Sequence, residues 1–355
     1  MTHHTTLAGA IALALALGTA AAEAETCLKV TLTGTKGGPM AVNGLAGAGT
    51  LIQYGEKADS CRGIDLQVDA GRATALRHSE LGVWPAEIDA IFFTHTHSDH
   101  ADGFADFMQL RWHYQSDQPK IDVVCSADSV SPRGHTNSCA SFVKHIADAY
   151  IHSGEIAERH WQRKGSGASA EGPSALANVM TFEPSDEPQV VWSKGDVTVS
   201  AIRSTHTAGH ASYRIDTPAG SVVVAGDASN DLQEPPRAHS TSDQVEKLAQ
   251  DADVLVHSST HPVMGPEAGG GMPKPVFYRQ STVDDIGAMA ERAGVKHLML
   301  THLTPSLGEV ERIDGWNIPN APLTEADFEA AARSGGYGGD LLVGKDLASI
   351  QLPAD

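Results

Sequence analysis

Basic residues are scarce in this sequence of 355 residues, which has 25 lysines and arginines against 44 aspartates and glutamates. The formal net charge is −19, and the acidic excess is spread along the chain. Because nucleic-acid phosphates bind to clusters of lysine and arginine, this balance disfavours a nucleic-acid partner. Solubility in an extracytoplasmic space is a sufficient explanation for the charge.

Long apolar runs are also missing, except at the N-terminus. Residues 7–22 are nearly all alanine, leucine, isoleucine and glycine, and the run ends in small residues that a signal peptidase accepts. The run is too short to span a bilayer comfortably, but no lysine or arginine precedes it, so an uncleaved anchor is the alternative. We predict a secretory signal over residues 1–24 and a periplasmic or secreted mature chain of residues 25–355, with no stable membrane association after cleavage.

Cysteine is rare, and none of the four residues forms a C-x-x-C pair or lies at metal-ligand spacing from a histidine. An even number of cysteines in an exported protein favours disulfides. Of the three pairings that four cysteines allow, the most local joins Cys27 to Cys61 and Cys125 to Cys139. We predict that pairing, with buried free thiols as the alternative.

Two frequent catalytic motifs are absent. No G-x-S-x-G segment offers a serine nucleophile. The glycine-rich stretch at residues 37–49 is not followed by a helix start with Gly-Lys-Ser/Thr, so it is not a phosphate-binding loop. The chemistry must therefore come from other side chains.

The most informative segment is Thr-His-Thr-His-Ser-Asp-His at residues 94–100. It follows residues 90–93, an apolar run with the length and bulk of a buried strand. Neutral imidazole and carboxylate are ligands that Zn²⁺, Mn²⁺ and Fe²⁺ accept. One loop cannot easily bring four donors onto a single tetrahedral ion, so the segment predicts two metals, bound by His95, His97, Asp99 and His100.

Three further donors follow apolar runs that are typical of strands. They are His206 after residues 197–202, Asp227 after residues 222–224, and His302 after residues 298–300. Strand patterns come in groups with helical patterns between them. This order predicts an α/β protein in which two mixed sheets pack face to face with helices outside.

These donors, in this order, resemble the metallo-β-lactamase superfamily. The resemblance implies its αββα sandwich over residues 25–355. The segment at residues 205–215, in which His206 precedes the Tyr213-Arg214 pair by seven residues, resembles the ribonuclease Z and arylsulfatase-like members. True β-lactamases often have a cysteine where this chain has Asp227.

The resemblance also implies the role of each donor. One metal would be held by His95, His97 and His206, and the other by Asp99, His100 and His302. Asp227 would bridge them together with a water or hydroxide. Two divalent metal ions are therefore expected, with Zn²⁺ as the first choice and Mn²⁺ or Fe²⁺ as alternatives.

Other polar residues have two interpretations each. His210 competes with His206 as a ligand, but the spacing to the tyrosine favours His206. Asp69 matches a carboxylate that orients a ligand imidazole, or it is simply a turn aspartate that ends a strand.

Asp99 and His257 are the candidate catalytic residues. His257 could donate a proton to the leaving group or make a structural hydrogen bond, and His261 is an alternative proton donor. Ser258 stands where ribonuclease Z relatives have the glutamate of a His-Glu-Ala-Thr segment. His297 is expected to be a packing histidine.

The substrate pocket is less well indicated. Residues 265–278 could fold over the metals as a lid. Apolar pocket walls could come from five side chains whose alternative is ordinary core or surface: Trp112, His113, Tyr114, Met264 and Tyr278.

The functional hypothesis is an exported dinuclear-metal hydrolase of a small ester, with a sulfate or phosphate (di)ester favoured. A lactonase or β-lactamase-type hydrolase is the first alternative, and a non-catalytic metal-binding protein is the second. The expected partner is a small-molecule ester substrate. Neither the substrate nor a homodimer is decided by the sequence.

Overall fold

The computed structural model describes residues 1, 25–154, 158–159 and 172–353. Apart from Met1, the predicted signal at residues 1–24 lies outside the described residues and stays a prediction. None of the described helices is long and apolar enough to cross a membrane.

Sixteen strands are described, and four of them overlap the apolar runs that precede the predicted donors. Their bounds are β1 Thr26–Gly34, β2 Gly49–Glu56, β3 Gly63–Val68, β4 Ile88–Phe92, β5 Ile121–Ser126, β6 Ser129–Val130, β7 Thr136–Asn137, β8 Ala177–Phe182, β9 Gln189–Lys194, β10 Val197–Arg203, β11 Ala211–Thr217, β12 Gly220–Val224, β13 Val254–Thr260, β14 His297–Thr304, β15 Asp340–Val343 and β16 Ser349–Leu352. The described α-helices are α1 Thr74–Glu80, α2 Ser98–Ala101, α3 Phe104–Tyr114, α4 Cys139–Ser153, α5 Asp243–Leu248, α6 Lys274–Phe277, α7 Val283–Arg292 and α8 Glu325–Ser334.

Fourteen of these strands form two seven-stranded sheets. The first has the order β16-β1-β2-β3-β4-β5-β8, and the second has the order β15-β14-β13-β12-β11-β10-β9. In each sheet one half is antiparallel and the other parallel, with β3, β4, β5 and β8 parallel in the first and β12 to β15 parallel in the second. The prediction of two mixed sheets is confirmed.

The sheets pack face to face across a shared apolar layer. Leu28, Val30 and Leu32 of β1 alternate with residues of the opposite face and meet Val199 and Val222 of the second sheet in one buried cluster. Two further clusters cover the outer faces, where α3 and α4 pack on the first sheet and α7 and α8 on the second. The four layers are those of the metallo-β-lactamase αββα sandwich that the sequence predicts.

The last two strands lie in different sheets. β15 pairs in parallel with β14 of the second sheet, and β16 pairs antiparallel with β1 of the first. The turn between them is fixed by Asp346, which accepts hydrogen bonds from Thr35 and from the Ala46 N–H. The chain therefore crosses from one sheet to the other instead of folding back.

Both predicted disulfides are present. Cys27–Cys61 links β1 to the segment before β3, and Cys125–Cys139 links β5 to α4 across the β6–β7 hairpin. Disulfides form and persist in oxidising compartments, so the pairing agrees with the expected export.

Replacing Cys27 and Cys61 together by alanine should lower the free energy of unfolding by about 4 kcal/mol, because the cross-link closes a long loop in the unfolded chain. The bridge between Cys125 and Cys139 closes a shorter loop, with a separation of 14 residues against 34, and its removal should cost about 3 kcal/mol. Urea denaturation followed by circular dichroism measures both. An unchanged midpoint in the first variant would contradict the cross-link.

Candidate metal centre

The candidate ligands lie where strands of both sheets end. His95, His206 and Asp227 each come three residues after the last residue of a strand, namely β4, β10 and β12. His302 lies within β14, near its carboxyl end. In α/β folds ligands bind beyond the carboxyl ends of parallel strands, and these four residues meet at such an edge.

The first ligand segment turns directly into a short helix. His97 precedes α2 with an extended backbone, and Asp99 and His100 lie in the helix itself. The side chains of His95, Asp99 and His100 are buried, whereas His97 is exposed. The segment therefore has one face in the protein and one towards solvent.

Asp69 fixes this segment from the end of β3. Its carboxylate accepts hydrogen bonds from the Thr94 N–H and hydroxyl, each at 2.8 Å, and from Nδ1 of His100 at 2.8 Å. The Asp69 backbone is left-handed, with φ +56°. The structure thus brings Asp69 into contact with a candidate ligand, as the resemblance implies.

A glycine precedes Asp227 for a steric reason. Gly226 has φ +62°, and a Cβ there would lie 2.8 Å from the side chain of Thr94. Any other residue would push the β12 end away from the β4 end, so the glycine lets Asp227 approach the first ligand segment.

The carboxylate of Asp227 lies at the middle of the ligand set. Its oxygens are 3.3 Å from Nε2 of His100, 3.5 Å from Nε2 of His206 and 3.6 Å from Nε2 of His302. Nε2 of His302 also lies 2.9 Å from Oδ2 of Asp99. One carboxylate therefore reaches imidazoles from both predicted metal positions.

The seven residues form three overlapping groups whose potential ligand atoms lie within 4.8 Å of one another. The groups are His95, His97 and His206; His95, His100 and Asp227; and Asp99, His100 and His302.

The side chains present fit metal ions at these positions. Buried Nε2 atoms of His95 and His100 have no hydrogen-bond partner among the described residues. Buried polar atoms without partners are costly unless something else binds them, and neutral imidazole nitrogen is a good ligand for divalent metals.

Hydrogen bonds also fix which imidazole nitrogen is free. Nδ1 of His95 donates to the Thr94 hydroxyl, whose own proton goes to Asp69. Nδ1 of His206 faces the carbonyl of Arg279 at 3.3 Å. With Nδ1 protonated in His95, His100 and His206, each Nε2 keeps its lone pair for a metal.

His210 has no free nitrogen. Its Nε2 accepts from the Asp227 N–H at 3.2 Å, and its Nδ1 donates to the Ser204 hydroxyl at 2.8 Å. Ser204 in turn contacts Ser212, which donates to the Ala225 carbonyl. His210 therefore supports the backbone of Asp227, and His206 is the histidine in the ligand cluster.

The pKa values of the buried side chains are shifted by their charged neighbours, even without a metal ion. Burial acts against protonation of His100, but Asp227, Asp69 and Asp99 together raise its pKa well above the usual value. Burial also opposes ionisation of Asp227, yet His302 and His100 hold its pKa well below the ordinary value. The buried carboxylates thus stay ionised and require positive charge beside them.

Burial lowers the pKa of His97, opposed by Asp227 and Asp99. The positive charges of His100 and Arg279 act in the same direction as burial.

The other predicted histidines lie outside the ligand clusters. His257 is fully buried with Nδ1 against the Ser258 carbonyl, and burial lowers its pKa to about 4. His261 accepts from the Val263 N–H and packs on Phe328. His297 pairs with Asp340 at 3.2 Å.

For most of the side chains named as possible pocket walls, the alternative of core or surface holds. Trp112, Met264 and Tyr278 belong to the buried core clusters, because they lie on inward faces of their segments. Tyr114 is exposed. Of the expected lid at residues 265–278, only Pro275 lines the groove beside His206.

Three contacts were missed at the sequence level. The Ser258 hydroxyl donates to Oδ1 of Asp227 at 2.5 Å, and the Gly38 N–H donates to Nε2 of His302 at 3.2 Å. Arg279 contacts His206 through its carbonyl and lines the same groove. Ser258 could have been found from its position beside His257, but nothing in the local sequence marks Gly38 or Arg279.

Comparison with known proteins gives distant relatives over nearly the whole chain. No protein-family model matches. A ribonuclease Z of Mycobacterium bovis is 26% identical over 332 residues, covering 92% of this chain and 98% of that protein. A ribonuclease Z of Mycolicibacterium gilvum is 28% identical over 336 residues, covering 92% and 96% respectively.

Solved structures share the fold. The metallo-β-lactamase fold protein YhfI from Bacillus subtilis has a TM-score of 0.56 at 18% identity, covering 92% of this chain and 100% of that chain. The short form of human tRNase Z has a TM-score of 0.54 at 15% identity, with coverages of 92% and 100%. A diphosphatase from the PhnP family has a TM-score of 0.52 at 13% identity, with coverages of 92% and 98%.

The chain has the metallo-β-lactamase fold. Its sequence is distantly similar to ribonucleases Z over 92% of its length. The resemblance seen in the ligand motifs is confirmed, while the roles of the individual ligands remain to be tested.

Replacing Asp69 by asparagine should weaken metal binding about 10- to 100-fold, because the acceptor that orients His100 is lost. Competition with a chromogenic chelator measures the affinity. Asp65→Asn is the matched control, since Asp65 is a buried carboxylate on β3 that contacts Gln53 instead of a ligand. Equal affinities of the two variants would show that Asp69 does not orient the site.

Proposed function

We propose that this protein is an exported hydrolase that cleaves small phosphate or sulfate esters with two divalent metal ions. The observation that carries the proposal is the convergence of seven histidines and aspartates, among which the buried Nε2 atoms of His95 and His100 lack a hydrogen-bond partner. A phosphate ester is favoured, because the relatives named ribonuclease Z and diphosphatase act on bonds of phosphorus.

The ligand groups support two metal positions. His95, His97 and His206 would hold one ion, and Asp99, His100 and His302 the other, with Asp227 between them. Zn²⁺ is the first choice for imidazole and carboxylate ligands, and Mn²⁺ or Fe²⁺ are alternatives. When bound, the two ions would polarise the ester and lower the pKa of a water molecule towards neutrality.

The chain itself supplies orientation. Asp69 directs Nε2 of His100 into the site, and Ser258 donates to one oxygen of Asp227, which fixes the rotation of that carboxylate. Nε2 of His210 accepts a hydrogen bond from the Asp227 N–H and so positions the backbone of that residue. Such supporting contacts keep ligands in the geometry that the reaction needs.

His257 stays a candidate proton donor. Its pKa of about 4 makes it neutral near pH 7, so it would need the negative charge of a bound substrate to become protonated. A structural role for the buried ring is the alternative, and His257→Ala would separate the two by its effect on kcat at unchanged metal content.

The metal ligands can be tested by elemental analysis after supplementation and dialysis. Wild-type protein should retain about two equivalents of metal, and Asp227→Ala should lower kcat/KM about a hundredfold or more, because both ions depend on its carboxylate. His206→Ala should lose metal, whereas His210→Ala should keep it. Loss of metal from the His210 variant alone would reverse the ligand assignment.

The substrate can be tested with metal-loaded protein on bis(4-nitrophenyl) phosphate, 4-nitrophenyl phosphate and 4-nitrophenyl sulfate. At least one of these three esters should be hydrolysed faster than a lactone and a chromogenic cephalosporin. Precursor transfer RNA should be cleaved slowly because the net charge of −19 repels it.

Two outcomes would replace the proposal. Hydrolysis of the lactone or cephalosporin about a hundredfold faster than any ester would identify a lactonase or β-lactamase-type enzyme. Two bound metals with no hydrolysis of any compound would favour the non-catalytic metal-binding protein.

A further inference from the structure

A groove of about 870 Å³ opens beside His206. It is bounded by the loop after β10, by the β6–β7 hairpin and by the segment around Arg279. Its volume lies within the range of small-molecule pockets, roughly 300–1,000 Å³. Since His206 belongs to the ligand cluster, a substrate bound at the metal centre would extend into this groove.

The lining of the groove has more arginine than acidic side chains, in contrast to the chain as a whole. Among the residues that the structure describes, it contains three arginines, Arg133, Arg203 and Arg279, and one acidic residue, Glu234. An arginine of this lining that is not paired with a carboxylate could bind an anionic ligand.

The charge of Arg203 is already neutralised. Its guanidinium lies 2.6 Å from Asp186 and 3.0 Å from Asp231. Arg279 differs, because its Nε donates to the Pro275 carbonyl and no carboxylate within the described parts of the chain pairs with it.

Arg279 is also the arginine tied most closely to the metal centre. Its carbonyl faces Nδ1 of His206 at 3.3 Å, and the residue lines the groove together with His206. The residue therefore lies between the metal ligands and the groove, with donors left over on its guanidinium.

We propose that Arg279 determines substrate specificity by binding a second anionic group, a carboxylate or phosphate, next to the ester held at the metal centre. The inference rests on the proposed function in that the ester is taken to bind at the metals. Arginine suits this task because its planar guanidinium binds such groups through two parallel hydrogen bonds.

Binding to metal-loaded protein tests the proposal without hydrolysis. Methylphosphonate and phosphonoacetate share a phosphonate, but only the second carries an additional carboxylate. Isothermal titration calorimetry should show that Arg279→Gln weakens phosphonoacetate binding about tenfold or more, while methylphosphonate binding changes less than about twofold. The variant should keep the wild-type metal content.

Two further variants make the result interpretable. Arg292→Gln is the control, since it removes an arginine paired with Glu246 that does not line the groove, and it should bind both phosphonates like the wild type. Arg279→Lys retains the charge without the planar pair of donors, and it should bind phosphonoacetate with intermediate affinity.

Three results would overturn the proposal: unchanged phosphonoacetate binding by Arg279→Gln, an equal loss of both phosphonates, or no binding of either by the wild type. The outcome is separable from that of the proposed function. If phosphonoacetate binding depends on Arg279 but no ester is hydrolysed, the anion site stands and the hydrolase does not.

Discussion

The candidate metal centre depends on the buried carboxylate of Asp69. A buried charge is costly unless hydrogen bonds satisfy it, and here three donors from Thr94 and His100 do so. Those bonds fix the end of β3 to the ligand segment after β4. Asp69 and His302 both have left-handed backbones, a conformation that costs of order 1–3 kcal/mol and persists where surrounding contacts enforce it.

The sequence was sufficient to predict the two mixed sheets and which histidines and aspartates converge. One segment of six residues contains four of these side chains, namely His95, His97, Asp99 and His100. No contact between distant parts of the chain is needed to bring them together. His206 was separable from His210 only through the resemblance, and the structure adds the physical reason, since both ring nitrogens of His210 are occupied.

The groove could not be predicted, because its walls come from segments distant in the chain. Arg279 lies 73 residues after His206, with which it shares a hydrogen bond. Trp112 and Met264 are large apolar side chains that suit a pocket or a core equally well, and only the packing shows that they are core. The pairing of β16 with β1 likewise depends on a contact between the two ends of the chain.

That pairing joins the C-terminal segment to the metal centre. Asp346 holds Thr35 and Ala46, the two sides of the loop from which the Gly38 N–H reaches His302. A truncation before residue 346 would free this loop and uncover one edge of β1, whose unpaired backbone groups can then pair with another molecule. This one deletion, at the C-terminal end of the chain, would therefore weaken metal binding and promote self-association.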